Sequence, residues 1–160
     1  MPKPRVYIET TVVSVLTARP SRDLVQSAWQ QITSEWWETR RSRYVLLISQ
    51  QVLTEASRGD VEAIQRRLAA MIGIAQLDIT EEVLELATAL ARSLKLPPKK
   101  AADAIHIAVA SVHQIAFLAT WNCTHLANPV LERKAKDVCV SHGYICPMIV
   151  TPHQLLEINL

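Results

Sequence analysis

Four residues far apart along the chain, Glu9, Glu55, Asp103 and Asn122, are of types that bind a hard cation. Each falls where an apolar run ends or a helix starts. Glu9 directly follows Val6-Tyr7-Ile8, and Glu55 comes soon after the run at 44–48. Asp103 sits in the first turn of an Ala-rich helix, and Asn122 comes just after the run at 115–119. In an open parallel α/β sheet, strand ends and helix starts meet in one crevice, so acids from distant parts of the chain converge there. Clustered carboxylates repel one another and stay ionised mainly around a cation. The pattern points to a Mg²⁺ or Mn²⁺ site with oxygen ligands, and from there to phosphoryl chemistry.

The elements that must carry these groups follow from hydrophobic spacing. Residues 5–8 read as a first strand ended by Glu9, with Thr10 and Thr11 capping a short helix to Thr17. Beyond Pro20, Leu24, Ala28, Ile32 and Trp36 recur at helical spacing and predict a helix over 23–40. A second strand is expected at 44–48, then a helix opened by Ser49 that carries Val52, Leu53 and Glu55 and stops near Gly59. Asp60 caps another helix, with Val61, Ile64, Leu68 and Ile72 on one face. A short strand follows at 74–77. Thr80 opens a helix with the stripe Val83, Leu86, Leu90 and Leu94, ended by Pro97-Pro98. The rest reads as a helix over 101–112, a strand over 115–119, a helix over 129–142 and a last strand at 149–150. This alternation predicts an α/β fold in three layers, α/β/α, around a short, mostly parallel twisted sheet.

The chain has 160 residues, 49% hydrophobic and 20% charged, which fits a single folded domain over 1–160 and excludes a disordered chain. No apolar run approaches the roughly 18–20 residues of a membrane helix, and the N-terminus lacks a signal-peptide core, so a cytoplasmic location is expected. A net charge of +2 does not imply nucleic-acid binding, but the clusters Arg40-Arg41-Ser42-Arg43, Arg66-Arg67 and Lys99-Lys100 are locally basic. The first is most simply a solvated helix end, and RNA backbone contact is the sharper alternative. Cys123, Cys139 and Cys146 make no even disulfide framework. Together with His125 and His142 they permit a zinc reading, but the spacing is poor, and small reduced thiols are the expectation.

Taken in order, Val6-Tyr7-Ile8-Glu9-Thr10-Thr11, Ser49-Gln50-Gln51-Val52-Leu53-Thr54-Glu55, Ala102-Asp103-Ala104-Ile105-His106-Ile107-Ala108 and Leu118-Ala119-Thr120-Trp121-Asn122 resemble the PIN-domain family. They are most similar to the VapC-type toxins of bacterial toxin–antitoxin pairs. The resemblance implies a metal-dependent endoribonuclease acting on RNA, a small antitoxin partner and a homodimer. It implies Glu9, Glu55, Asp103 and Asn122 as catalytic residues. Glu9 and Asp103 would bind Mg²⁺ or Mn²⁺ directly and Glu55 through water. Thr10, Thr120 and His125 would position waters or substrate. The chain departs from the family pattern at two positions, with Glu9 in place of the usual Asp and Asn122 in place of a fourth acid. Asparagine supplies a carbonyl oxygen without charge, which implies weaker or fewer metal sites.

Simpler roles stand beside each of these. Glu9 could cap the next helix, Asp103 could be an acid in a helix's first turn, Glu55 could pair with Arg58, and Asn122 could serve a turn. His106, one helical turn after Asp103, is expected as a satisfied core histidine, with a place beside the metal-binding acids as the alternative. Of the adjacent Trp36 and Trp37, one is expected in the core. The rival functions are an RNA-binding or regulatory module without catalysis, and a metal-dependent phosphohydrolase acting on DNA or small phosphates.

Overall fold

Arg5–Ile8 (β1) and Val45–Ser49 (β2) are short runs rich in branched and aromatic residues, and they pair in parallel with Arg5 opposite Val45. The computed structural model describes residues 1–159. Ala75–Leu77 (β3) adds to the far side of β2, Phe117–Ala119 (β4) pairs with the other side of β1, and Met148–Val150 (β5) closes that edge. The order is β3-β2-β1-β4-β5 with every pairing parallel, so the sheet is wholly parallel. β1 lies at its centre, and Val6, Tyr7 and Ile8 are fully buried. Such burial on both faces is why the run is continuously apolar and does not alternate.

Helices cover both faces. Thr10–Thr17 (α1), Leu24–Thr39 (α2), Gln50–Ala56 (α3) and Val61–Ala70 (α4) pack chiefly with one another. Glu81–Ser93 (α5), Ala101–Val112 (α6) and Pro129–Ser141 (α7) form the other group, and α5 lies along α6. The architecture is α/β/α, as the alternation predicts. α6 packs closely because its buried positions include Ala104, Ala108 and Ala110, while Ile107 and Val109 fill the core beside them. A further helix, Pro152–Glu157 (α8), has no counterpart in the sequence reading. It opens with a complete capping box between Thr151 and Gln154 and packs on α2.

Two local expectations change. The side-chain cap of α1 is Glu9, which accepts from the backbone N–H of Thr11, rather than Thr10 or Thr11. α4 ends at Ala70, and its expected apolar stripe is largely uncovered: Val61 is 68% exposed, and Ile72, beyond the helix end, is 81% exposed. Trp36 is buried, whereas Trp37 is half-buried with the Arg41 guanidinium 4.3 Å above its ring. No helix among the described residues is long and apolar enough to cross a membrane.

Candidate functional site

β1 runs from the centre of the sheet to its carboxyl end, where the chain turns one way to reach β2 and the other strand neighbour, β4, belongs to the second half. This reversal of strand order opens a crevice beyond the strand ends. Glu9, the first residue after β1, stands directly in it. Its Oε2 accepts from the Thr11 N–H at 3.0 Å, from the Thr11 hydroxyl and from Thr120 Oγ1 at 2.8 Å. The side chain is 3% exposed, and burial pushes its carboxyl above the usual range, against the charge of His106 and these hydrogen bonds. Thr11 also receives the Trp121 N–H at 2.8 Å, so one hydroxyl ties the first helix to the segment after β4.

Glu55 reaches the same place from α3. Its Oε1 accepts from Thr10 Oγ1 at 2.5 Å and from His106 Nε2 at 2.8 Å, and Oε2 accepts from Gln51 Nε2 at 3.3 Å. Burial opposes ionisation, but the His106 hydrogen bond and charge, with Thr10 and Gln51, outweigh it and hold the carboxyl down at about 2. Glu55 therefore pairs with His106, and the i+3 pairing with Arg58 is not its main contact.

His106 is fully buried on α6. Burial alone would lower its pKa. The hydrogen bond to Glu55 and the charges of Glu9, Glu55 and Asp103 win and raise it. The ring bonds the Glu55 carboxylate through Nε2 and the Tyr7 hydroxyl through Nδ1 at 2.7 Å, and the Tyr7 hydroxyl in turn bonds Ser49 Oγ at 2.7 Å. Burial pushes the Tyr7 phenol far up, so it stays neutral and serves as a donor. Ser49 is the N-cap residue of α3, yet its hydroxyl makes no cap hydrogen bond and is bound to Tyr7.

Glu9, Glu55 and His106 each place one ligand atom within 4.8 Å of the others, a group able to hold a metal ion. Asp103 lies outside that group. Its side chain is nearly buried, and Oδ2 has no hydrogen-bond partner, although His125 Nδ1 approaches it to 3.2 Å. The two atoms are close, but no hydrogen bond joins them. Asn122 serves its turn: its Oδ1 accepts from the His125 N–H at 3.1 Å, and its own N–H donates to Thr120 Oγ1. Thr10 and Thr120 hold the carboxylates of Glu55 and Glu9, so their hydroxyls are already engaged.

The crevice thus gathers Glu9, Glu55, Thr10 and Thr120, sets Asp103 and His125 beside them, and leaves Asn122 in the adjoining turn. Sequence reasoning gave Thr11 and Ser49 only helix-cap roles and gave Tyr7 no role in the site. A tyrosine inside a buried strand, with an oxygen that needs a partner, was the available signal. Cys123 is exposed and Cys139 buried, and among the described residues no group with His125 and His142 gathers around a metal position. The Arg40-Arg41-Ser42-Arg43 cluster precedes β2, at the amino end of the sheet and opposite the acids. Family models give no match to the chain, and curated proteins give none.

Proposed function

We propose that the chain is a metal-dependent endoribonuclease, the toxin of a toxin–antitoxin pair, working in the cytoplasm as a homodimer with a small antitoxin partner. The observation that carries the catalytic reading is the convergence of Glu9, Glu55 and His106, with the unpartnered Asp103 oxygen nearby, at the carboxyl end of a parallel sheet. The donor set fits a hard divalent ion. Carboxylate oxygens suit Mg²⁺, and Mn²⁺ also accepts an imidazole nitrogen. Glu9, Glu55 and Asp103 would hold the ion, with His106 as a further ligand or as the group that orients Glu55. When bound, a divalent ion neutralises phosphodiester charge and acidifies a water.

The chain's own residues set up that chemistry. Thr11 and Thr120 pin Oε2 of Glu9, which leaves Oε1 as the free ligand atom. Thr10 and Gln51 fix the Glu55 carboxylate against rotation. The Ser49–Tyr7 relay sets the ring plane of His106. His125, 20% exposed beside Asp103, stands where a substrate oxygen would approach.

Single-stranded RNA incubated with Mn²⁺ should be cleaved, and Glu9→Ala and Asp103→Ala should each reduce the rate by at least a hundredfold while leaving the far-ultraviolet spectrum unchanged. Full activity in both variants would end the assignment. A non-catalytic RNA-binding module is favoured by one observation: the His106 ring already occupies the Glu55 carboxylate at 2.8 Å, where an ion would otherwise stand. Calorimetry with Mn²⁺ separates the two, since the module should take up no metal. Cleavage of single-stranded DNA or a generic phosphoester in preference to RNA would redirect the substrate assignment.

A further inference from the structure

Arg66 and Arg67 are neighbours on α4, and each guanidinium is anchored through its Nε edge to the end of a different helix. Arg66 Nε donates to Thr17 O at 2.9 Å, at the end of α1. Arg67 Nε donates to Ala56 O at 3.0 Å, at the end of α3, and its Nη2 to Arg58 O at 2.6 Å. Among the described residues, the remaining N–H groups of Arg66 meet no protein acceptor. Both side chains line an open cavity of ≈ 340 Å³ together with Ser14, Thr17, Arg19 and Asp60. The Asp60 carboxylate is committed to the N–H of Ala63 as the cap of α4. Arg19 pairs with Glu62 at 2.5 Å, both side chains well exposed, so that pair is weak and exchangeable. Three guanidiniums against these two acids leave the cavity net positive.

The cavity and the acidic cluster share α1. Thr10, Ser14 and Thr17 recur at helical spacing, with Thr10 bound to Glu55 and the other two lining the cavity. At about 1.5 Å rise per residue, Ser14 and Thr17 stand about 6 Å and about 10 Å along the axis from Thr10. A polyanion reaching the acids meets three carboxylates, and needs cations close by to offset them. Guanidiniums already held by Nε lose little rotamer freedom on binding, and their outer edges match phosphate oxygens in pairs.

We propose that the Arg19–Arg66–Arg67 cavity is a phosphate subsite for a single-stranded nucleic-acid backbone whose adjoining phosphate lies at the Glu9–Glu55–His106 cluster. The proposal rests on the nuclease reading and adds a substrate-binding site to it.

The test is anisotropy of a fluorescein-labelled octauridylate in EDTA, where no turnover occurs, measured against salt concentration. Arg66→Gln and Arg19→Gln should each weaken binding several-fold and flatten the plot of log affinity against log salt by about 0.7 per lost contact. Arg66→Lys should recover part of the affinity. Arg133→Gln, on α7, serves as the control and should change neither quantity. The side chain of Arg19 is 75% exposed and, among the described residues, bonded only to Glu62, so its variant reads the site even if Arg66→Gln fails to fold. Unchanged slopes in Arg19→Gln and in whichever Arg66 variant folds would overturn the subsite, as would an equal loss in Arg133→Gln. Arginine-dependent binding without Mn²⁺-dependent cleavage would sink the nuclease reading and keep the subsite. Cleavage with arginine-independent binding would do the reverse.

Discussion

α6 and α4 are close in length, 12 and 10 residues, and both carry residues assigned here to a site. Their surroundings differ throughout. α6 has eight buried residues, among them Asp103 and His106, and lies along α5 with the sheet beneath it. α4 has none, and its contacts are with α1 and α3, through which its arginines reach helix-end carbonyls. One helix is held by burial and leaves a buried oxygen of Asp103 without a hydrogen bond among the described residues. The other is held by hydrogen bonds at its flank and keeps its cations in solvent reach. The difference suits the two tasks. On the proposed reading, carboxylates that would hold a cation need a fixed frame, whereas arginines that would meet a flexible polyanion work at an open rim.

The comparison can be broken most directly in the core. Ile107→Ala, at a position 1% exposed, should lower unfolding stability in urea by about 2–5 kcal/mol, whereas Leu68→Ala on α4, at 37% exposed, should cost under about 1 kcal/mol. Equal losses would mean that α4 is covered in solution.

His106→Asn should come next, at about 2 kcal/mol, through loss of the charged hydrogen bond to Glu55. Its pH signature has a defined sign in metal-free protein. The pKa of His106 is raised above its usual 6.5, so its contribution is complete below 6.5 and is lost as pH rises through the folded value. Glu55 is held down at about 2 from 4.5, so its contribution is complete above 4.5 and is lost as pH falls toward 2. Buried Glu9, raised by desolvation, declines with rising pH in the same direction as His106, and neutral Tyr7 adds no charge there. The wild type should therefore be most stable in acid near 4.5, falling first through Glu9 and then through His106 as pH rises, and His106→Asn should flatten the fall above 6.5 in urea titrations run with EDTA. An unaltered slope would remove His106 from the ion pair. The smallest effect belongs to α4. Arg66→Gln loses a cation at the end of α1, worth about 0.3–1 kcal/mol by thermal unfolding.

The strands and most helices were legible because burial on two faces writes continuous apolar runs, as in Val6-Tyr7-Ile8, and because caps such as Asp60 and Thr80 announce helix starts. The positions of Glu9 and Glu55 at the crevice were legible for the same reason. What was not legible depends on contacts between distant segments. The spacing of His106 from Asp103 says that it shares a face, but only the approach of α3 decides that its ring meets Glu55. The stripe on α4 announces an apolar face and carries no information about whether anything covers it. Thr10 and Thr11 were reasonable caps by residue type, yet Glu9 takes that role, with its carboxylate held by Thr11 and by Thr120 at the end of the neighbouring strand. α8 was a plain oversight, since Thr151-Pro152 followed by Gln154 is a complete start signal.

β1 occupies the middle of the sheet, yet its two neighbours arrive at very different times during synthesis. Val45–Ser49 emerges some forty residues after it, and Phe117–Ala119 more than a hundred. A nascent chain can therefore pair one edge of β1 early while the other stays open through all of α5 and α6. The crevice cannot close around Glu9 until the ribosome has released His106 and Thr120, so any activity of this site begins only with the last quarter of the chain.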